Sequence, residues 1–229
     1  MKLFILLQLI LISSFSITCH GAKHNHANHH MNKTSFDELT KSFESKERDK
    51  WQKPDEVIQF IDKKVFGKSK TGIVGKKIGD LGSGTGYFTL RFLDAGASAI
   101  ALDIDDRFLN YINTRTKDHK KKTLLELRKI NEGELGLKEG EVDLVFTVNT
   151  YHHFENRISF LSMIKKSIKK DGALVIIDFK EGDLPIHAPP ESMKIKTSMI
   201  LDELDKAGFQ STLNRDLLEF QNIFVAVPK

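Results

Sequence analysis

The stretch "KIGDLGSGTG", residues 77–86, sets three glycines at every second position directly after a short apolar run and Asp80. An apolar strand running into bare backbone and then into an amphipathic segment is the first strand–turn–helix unit of an open α/β sheet. In such a sheet ligands sit beyond the carboxyl ends of the strands. The spacing of Gly82, Gly84 and Gly86 is G-x-G-x-G, and the residue three places after Gly84 is Tyr87. A dinucleotide fingerprint has G-x-G-x-x-G and holds a pyrophosphate on the helix N-terminus. Asp80 in this turn would repel a diphosphate, which disfavours a nicotinamide-dependent oxidoreductase. A carboxylate beside the glycines suits a cationic ligand without phosphate, and S-adenosylmethionine (SAM), with its ammonium and sulfonium, has that chemistry.

Outward from the loop, strands and helices alternate. "ASAIALDID" reads as a second strand and ends on Asp103, from which an acidic side chain accepts the two hydroxyls of a ribose. "LLELRKI" reads as a third strand, and "VDLVFTVN" as a fourth, apolar on both faces as a central parallel strand is. "ALVIIDF" makes a fifth, and "FQSTLNRDLLEFQNIFVAVPK" a closing pair. The helix "ENRISFLSMIKKSIKKDG" is expected to turn Ile158, Leu161, Ile164 and Ile168 inward and to stop at Asp171-Gly172. A later helix carries Ile200, Leu204 and Ala207 on one face. The expected fold class is α/β: a Rossmann-like, doubly wound, seven-stranded sheet with an antiparallel edge strand and helices on both faces.

Ahead of this core, residues 36–66 read as two helices, the second opening at Pro54-Asp55-Glu56, where proline and acidic residues suit a helix start. They form a lid in which Trp51 either covers the ligand or packs between helices. Residues 1–21 read as a secretory signal peptide, one lysine followed by an apolar run broken by Gln8. Cys19, the only cysteine, is expected to be a lipid acceptor and first mature residue. Cleavage after Gly21 and an uncleaved anchor are the alternatives. Residues 22–35 form a polar tether, and five of the nine histidines (His20, His24, His26, His29 and His30) lie in or beside it. Imidazoles at this density bind transition metals weakly, but no defined metal site is expected. The expected location is therefore exported, periplasmic or membrane-attached. A net charge of +4, from 35 basic against 31 acidic residues, is too even for a nucleic-acid partner.

"DLGSGTGYFTLRFLDAG", "ALDID" and "VDLVFTVNTYHHF" resemble motif I, the downstream acidic strand and the fourth-strand motif of class I SAM-dependent methyltransferases of the type 11-like kind. "ERDKWQKPDEV" with "NTYHHF" is similar to small exported bacterial members with histidine-rich leaders. The resemblance covers residues 54–229 and implies SAM as cofactor. Carried over, it gives the methionyl end to Asp80 and the Gly82, Ser83, Gly84 and Gly86 turn. The ribose goes to Asp103 with Ile104 beside it, and the adenine to Asn131 or Glu132 in "INEGELG". Asn149, at the end of the fourth strand, is expected to border the cofactor. Tyr151, His152 and His153 are the candidate catalytic residues, a histidine serving as base if the acceptor has a proton to lose. Asp178 faces the same cleft, where it orients an acceptor or a metal, or caps the loop. The acceptor class is a small molecule or lipid. The competing reading is an exported metal-binding protein that uses the tether on a non-catalytic fold.

Overall fold

The computed structural model describes residues 34–229. The expected signal peptide, Cys19 and the expected histidine tether up to residue 33 lie outside the described residues. Three helices lead in: α1 (Phe36–Phe43), α2 (Lys46–Gln52) and α3 (Pro54–Lys64). The sheet and its crossovers follow as β1 (Lys77–Leu81), α4 (Tyr87–Asp94), β2 (Ser98–Asp103), α5 (Asp106–Arg115), β3 (Leu125–Lys129) and β4 (Val142–Val148). After them come α6 (Arg157–Ser167), β5 (Ile168–Phe179), α7 (Thr197–Lys206), β6 (Phe209–Asn214) and β7 (Gln221–Pro228).

The strand order is β3-β2-β1-β4-β5-β7-β6. β1 pairs in parallel with both β2 and β4, so the chain reverses its direction of sheet growth beside β1. That reversal opens the crevice in which such sheets bind ligands. β7 is antiparallel and lies between β5 and β6. Its first residues therefore meet the carboxyl ends of the parallel strands: Gln221 faces Phe179 and Asn222 faces Asp178.

Both faces of the sheet are covered, which explains strands apolar on both sides. Val145, Leu174 and Ile176 pack under α6 and α7 with Leu161, Ile164, Ile200 and Leu204. Leu144, Phe146, Val175 and Ile177 alternate to the other face and pack with Val57, Ile61, Phe88 and Phe92 of α3 and α4. Phe146 is fully buried, its ring 4.9 Å from that of Phe88 and 5.1 Å from that of Phe92.

Three local expectations are corrected. The segment before the core holds three helices, because Ser45 caps a new one by accepting the Arg48 amide at 3.3 Å. Only α1 and α2 lie over the glycine loop, since α3 belongs to the core through Val57 and Ile61. Helix α6 ends at Ser167 instead of Asp171-Gly172: Ile168 already pairs with Val142, and a register shift carries the chain to Ala173 opposite Leu144. Gly172 is needed in that bulge, where a Cβ would stand 2.5 Å from the Asp143 carbonyl oxygen. Ile158 is 40% exposed, because the inward stripe of α6 runs through Phe160, Leu161 and Ile164.

Replacing Phe146 by alanine is expected to remove about 3–5 kcal/mol of stability, read as a lower urea midpoint at unchanged slope.

Candidate active site

The glycine loop is built by hydrogen bonds that use most of its own amides. Gly82 and Ser83 both donate to the Leu102 carbonyl, at 2.9 and 3.0 Å, and Gly86 donates to the Ser83 carbonyl at 2.9 Å. Gly84 donates to Asp103 Oδ2 at 2.7 Å, while Asp103 Oδ1 accepts the Asp105 amide at 2.9 Å. Gly82 has a φ of 72°, and a Cβ there would lie 2.5 Å from Thr150. The turn from β1 and the turn from β4 approach so closely at this point that only glycine fits. Two hydroxyls of the loop, Ser83 Oγ and Thr85 Oγ1, are buried without a partner.

Asp80 is 1% exposed and accepts the Thr89 hydroxyl from α4. Burial pushes its carboxyl up to about 7, the Thr89 hydrogen bond opposes that, and the Asp103 charge adds to it. Burial raises Asp103 too, against the pull of the loop amides that it accepts. Ile104 is 48% exposed beside it. Asn131, just beyond β3, is exposed, and its side-chain amide donates to Glu134 Oε2 at 2.9 Å; Glu132 is exposed next to it.

Helices α1 and α2 lie over this cleft. Phe43 packs against Gly84 and stacks on Phe108 of α5, with ring centroids 5.6 Å apart. Arg48 lies with its guanidinium 3.9 Å above the Tyr87 ring. Gln52, fully buried, donates to Gln221 Oε1, Gln221 donates to Asn149 Oδ1, and Asn149 Nδ2 donates to Gln52 Oε1 at 3.4 Å. This closed ring of three amides fastens α2 to the ends of β4 and β7. Asn149 takes a φ of 56°, so the chain turns sharply where β4 ends.

A different group forms where β4 and β5 end. His152 is buried, with Nδ1 at 3.0 and 3.1 Å from the two oxygens of Asp178, and its backbone amide donates to Asp178 Oδ2 at 3.1 Å. Asp178 also accepts the Phe179 amide at 2.9 Å, so its position is fixed from several sides. The His153 ring lies 4.3 Å from that of His152, and burial, aided by His152, pushes its pKa down to about 4. Trp51 packs against Phe179 at 6.2 Å between ring centroids.

Tyr151 parts from the histidines. It is 1% exposed in the α6–α7 core and donates to Glu203 Oε2 at 2.6 Å, while Arg157 holds the same carboxylate. Burial and that carboxylate raise its pKa, so the phenol stays protonated. Tyr151 is thus a buried donor within the core. Arg48, Gln52 and Gln221 are absent from the sequence-based set. The only local signal was the run from Arg48 to Trp51 before Pro54, since nothing near Gln221 marks its partner 169 residues earlier.

The fold and the carboxylate-flanked glycine loop define an α/β nucleoside-binding domain of the Rossmann-like methyltransferase type. Residues 79–176 match the family model described as "Methyltransferase domain", so the chain carries a class I SAM-dependent methyltransferase domain. It superposes on a SAM-dependent methyltransferase from Aquifex aeolicus with a TM-score of 0.71 and 20% identity, covering 85% of this chain and 98% of that one. A magnesium protoporphyrin IX methyltransferase from Synechocystis, solved with bound SAH, gives 0.66 at 16% identity, covering 89% and 99%. A putative type 11 methyltransferase from Sulfolobus solfataricus gives 0.59 at 18%, covering 77% and 92%. No curated protein matches the chain.

The residues present fit SAM. Asp80 and Asp103 supply carboxylates for an ammonium and a ribose, and the two orphaned loop hydroxyls supply unspent donors. Among the described residues, no group of His, Cys, Asp or Glu could hold a metal ion.

Asp80 gives a pH prediction. Its folded pKa, about 7 against the ordinary 3.8, means that stability from its protonated form is present below pH 4 and lost as pH rises through 7. An ammonium binds the ionised form, so the affinity for S-adenosylhomocysteine (SAH) should climb between pH 5.5 and 7.5, by at most about tenfold per unit. Calorimetry should show a shallower climb in Asp80→Asn.

Proposed function

We propose that this methyltransferase transfers the methyl group in line to an acceptor that loses a proton, with His152 as the base and Asp178 as its positioning residue. The observation that carries this reading is the buried His152–Asp178 pair beside the cleft, at 3.0 and 3.1 Å. SAM supplies an electrophilic methyl group whose sulfur leaves as a neutral thioether, so no acid is needed at the leaving group. What remains for the protein is to align the acceptor, exclude water and take up one proton.

Asp178 accepts the proton-bearing Nδ1 of His152, which leaves Nε2 as the basic nitrogen. The positive charge that His152 gains then lies against a fixed carboxylate. His153, held neutral, adds no cation to a site that already receives a sulfonium. Trp51 and Phe179 offer an aromatic wall, which supports an acceptor with an apolar body: a small molecule or a lipid. The apolar leader and Cys19 support placing the enzyme outside the cytoplasm, anchored at its N-terminus, with the histidine tether as a weak metal binder.

The test uses methyl-labelled SAM with a panel of apolar phenols, carboxylic acids, amines and thiols. With the acceptor that turns over, His152→Asn should lower kcat about 100- to 10,000-fold, with SAH affinity unchanged. Asp178→Asn should lower kcat and move the acidic arm of the pH profile, which a general base governs, and Asp178→Glu should restore part of both. Full turnover in His152→Asn would rule out the assignment.

A further inference from the structure

SAM ends in a zwitterion, and the cleft described so far provides for only half of it. Asp80 takes the ammonium. The α-carboxylate needs donors, and the glycine loop has few left: the amides of Gly82, Ser83, Gly84 and Gly86 are all committed within the protein. The neighbouring arginines are committed as well. Arg115 pairs with Glu44 at 2.7 Å, Arg91 with Asp49 at 3.1 Å and Arg107 with Asp105 at 2.6 Å.

Arg48 is the exception among them. It is 9% exposed, more buried than the other three, yet among the described residues no carboxylate stands within salt-bridge distance of it, Glu44 and Asp80 acting on it only from further away. Its Nη1 donates to the Phe43 carbonyl at 3.0 Å and its Nε to Gln52 Oε1 at 3.4 Å, both neutral acceptors. Its guanidinium rests on Tyr87, the first residue of the helix that the glycine loop opens, and Phe43 rests on Gly84 of that loop. Burial lowers its pKa to about 10, which still leaves it charged at neutral pH. A buried guanidinium whose direct hydrogen-bond partners are all neutral is costly unless a ligand completes it. Arginine's planar fork matches a carboxylate better than any other side chain does.

We propose that Arg48 recognises the α-carboxylate of the methionyl end of SAM, so that helix α2 carries a cofactor-binding residue as well as covering the cleft. The proposal rests on SAM occupying the glycine loop. Arg48 and Asp80 then form a matched pair of opposite charges for the two ends of the amino-acid zwitterion. SAH carries the same carboxylate, so the contact holds α2 closed over cofactor and product alike.

The experiment is a binding cycle by calorimetry on the full chain. Its ligands are SAH and S-adenosyl-3-thiopropylamine, which differs from SAH only in lacking the carboxylate. For the wild type, removing the carboxylate should weaken binding about 10- to 100-fold. Arg48→Gln should weaken SAH binding by a similar factor and leave the decarboxylated analogue within about threefold of its wild-type affinity. Arg48→Lys should recover part of the loss for SAH alone. Equal losses for both ligands in Arg48→Gln would show that Arg48 acts through packing on Tyr87, and no loss for either would remove it from the site; each overturns the proposal. If the wild type binds neither ligand, the SAM reading itself fails and the proposal with it.

Discussion

Asp80 is held at the carboxyl end of the central strand, away from water, with one hydroxyl donor and no cation in salt-bridge contact among the described residues. Much of the site follows from that placement. β1 lies between β2 and β4 because the sheet changes its direction of growth there, so the end of β1 is the most enclosed strand end near the cleft. A carboxyl in that position is kept near the edge of ionisation, and a cationic ligand completes it. The same enclosure obliges the neighbouring loop to satisfy its amides internally, which it does through Leu102 and Asp103. Asp103 is therefore part of the loop's frame, as well as the carboxylate that the SAM reading gives to the ribose. Removing it would disturb the shape of the turn along with the contact.

What could be read from the sequence was what is local. The glycine spacing, Asp80 before it and Asp103 at the next strand end lie within one β-α-β unit, and the geometry of that unit leaves few choices. The alternation of Leu144 and Phe146 against Val145 gave the two-sided burial of β4 directly. The pairing of His152 with Asp178 was half legible: both residues stand at strand ends, but only the fold makes β4 and β5 adjacent. The amide ring was not legible, since Gln52 and Gln221 carry no pattern and meet Asn149 only once the sheet is complete. Helix α6 was drawn too long because its lysines and Asp171-Gly172 imitate a helix end, whereas pairing with β4 claims Ile168 first. Tyr151 was grouped with the histidines by adjacency. In the short 3-10 turn they share, neighbouring side chains diverge, and its hydroxyl ends on Glu203.

The antiparallel strand β7 has a consequence for the lid. Parallel strands present only their carboxyl ends to the cleft, so every group they offer comes from a strand's last residues or the turn that follows. β7 runs the other way and brings its first residues, Gln221 and Asn222, to the same rim. Gln221 meets Gln52 of α2 there, and Asn222 donates to Thr197 at the start of α7. The N-terminal helices are thus fastened at the sheet's far side by an amide ring and over the glycine loop by Phe43. Both fastenings are neutral, and between them stands the one buried charge of the segment, Arg48.

Charge is divided between the walls of the cleft. Carboxylates stand on the β1–β2 side, while the β4–β5 side offers imidazoles and amides, with Asp178 turned away onto His152. A sulfonium between these walls has an attractive carboxylate side, and on the opposite side His153 is too depressed to protonate near neutral pH. In the proposed reaction the positive charge disappears at sulfur and reappears on His152 as it takes the acceptor's proton. Among the described residues, the only carboxylate in direct contact with that imidazole is Asp178, at 3.0 Å. The dyad therefore stabilises charge where the reaction delivers it and leaves the starting sulfonium to the opposite wall. A protein arranged in this way favours the charge distribution reached late in the transfer over the one it begins with.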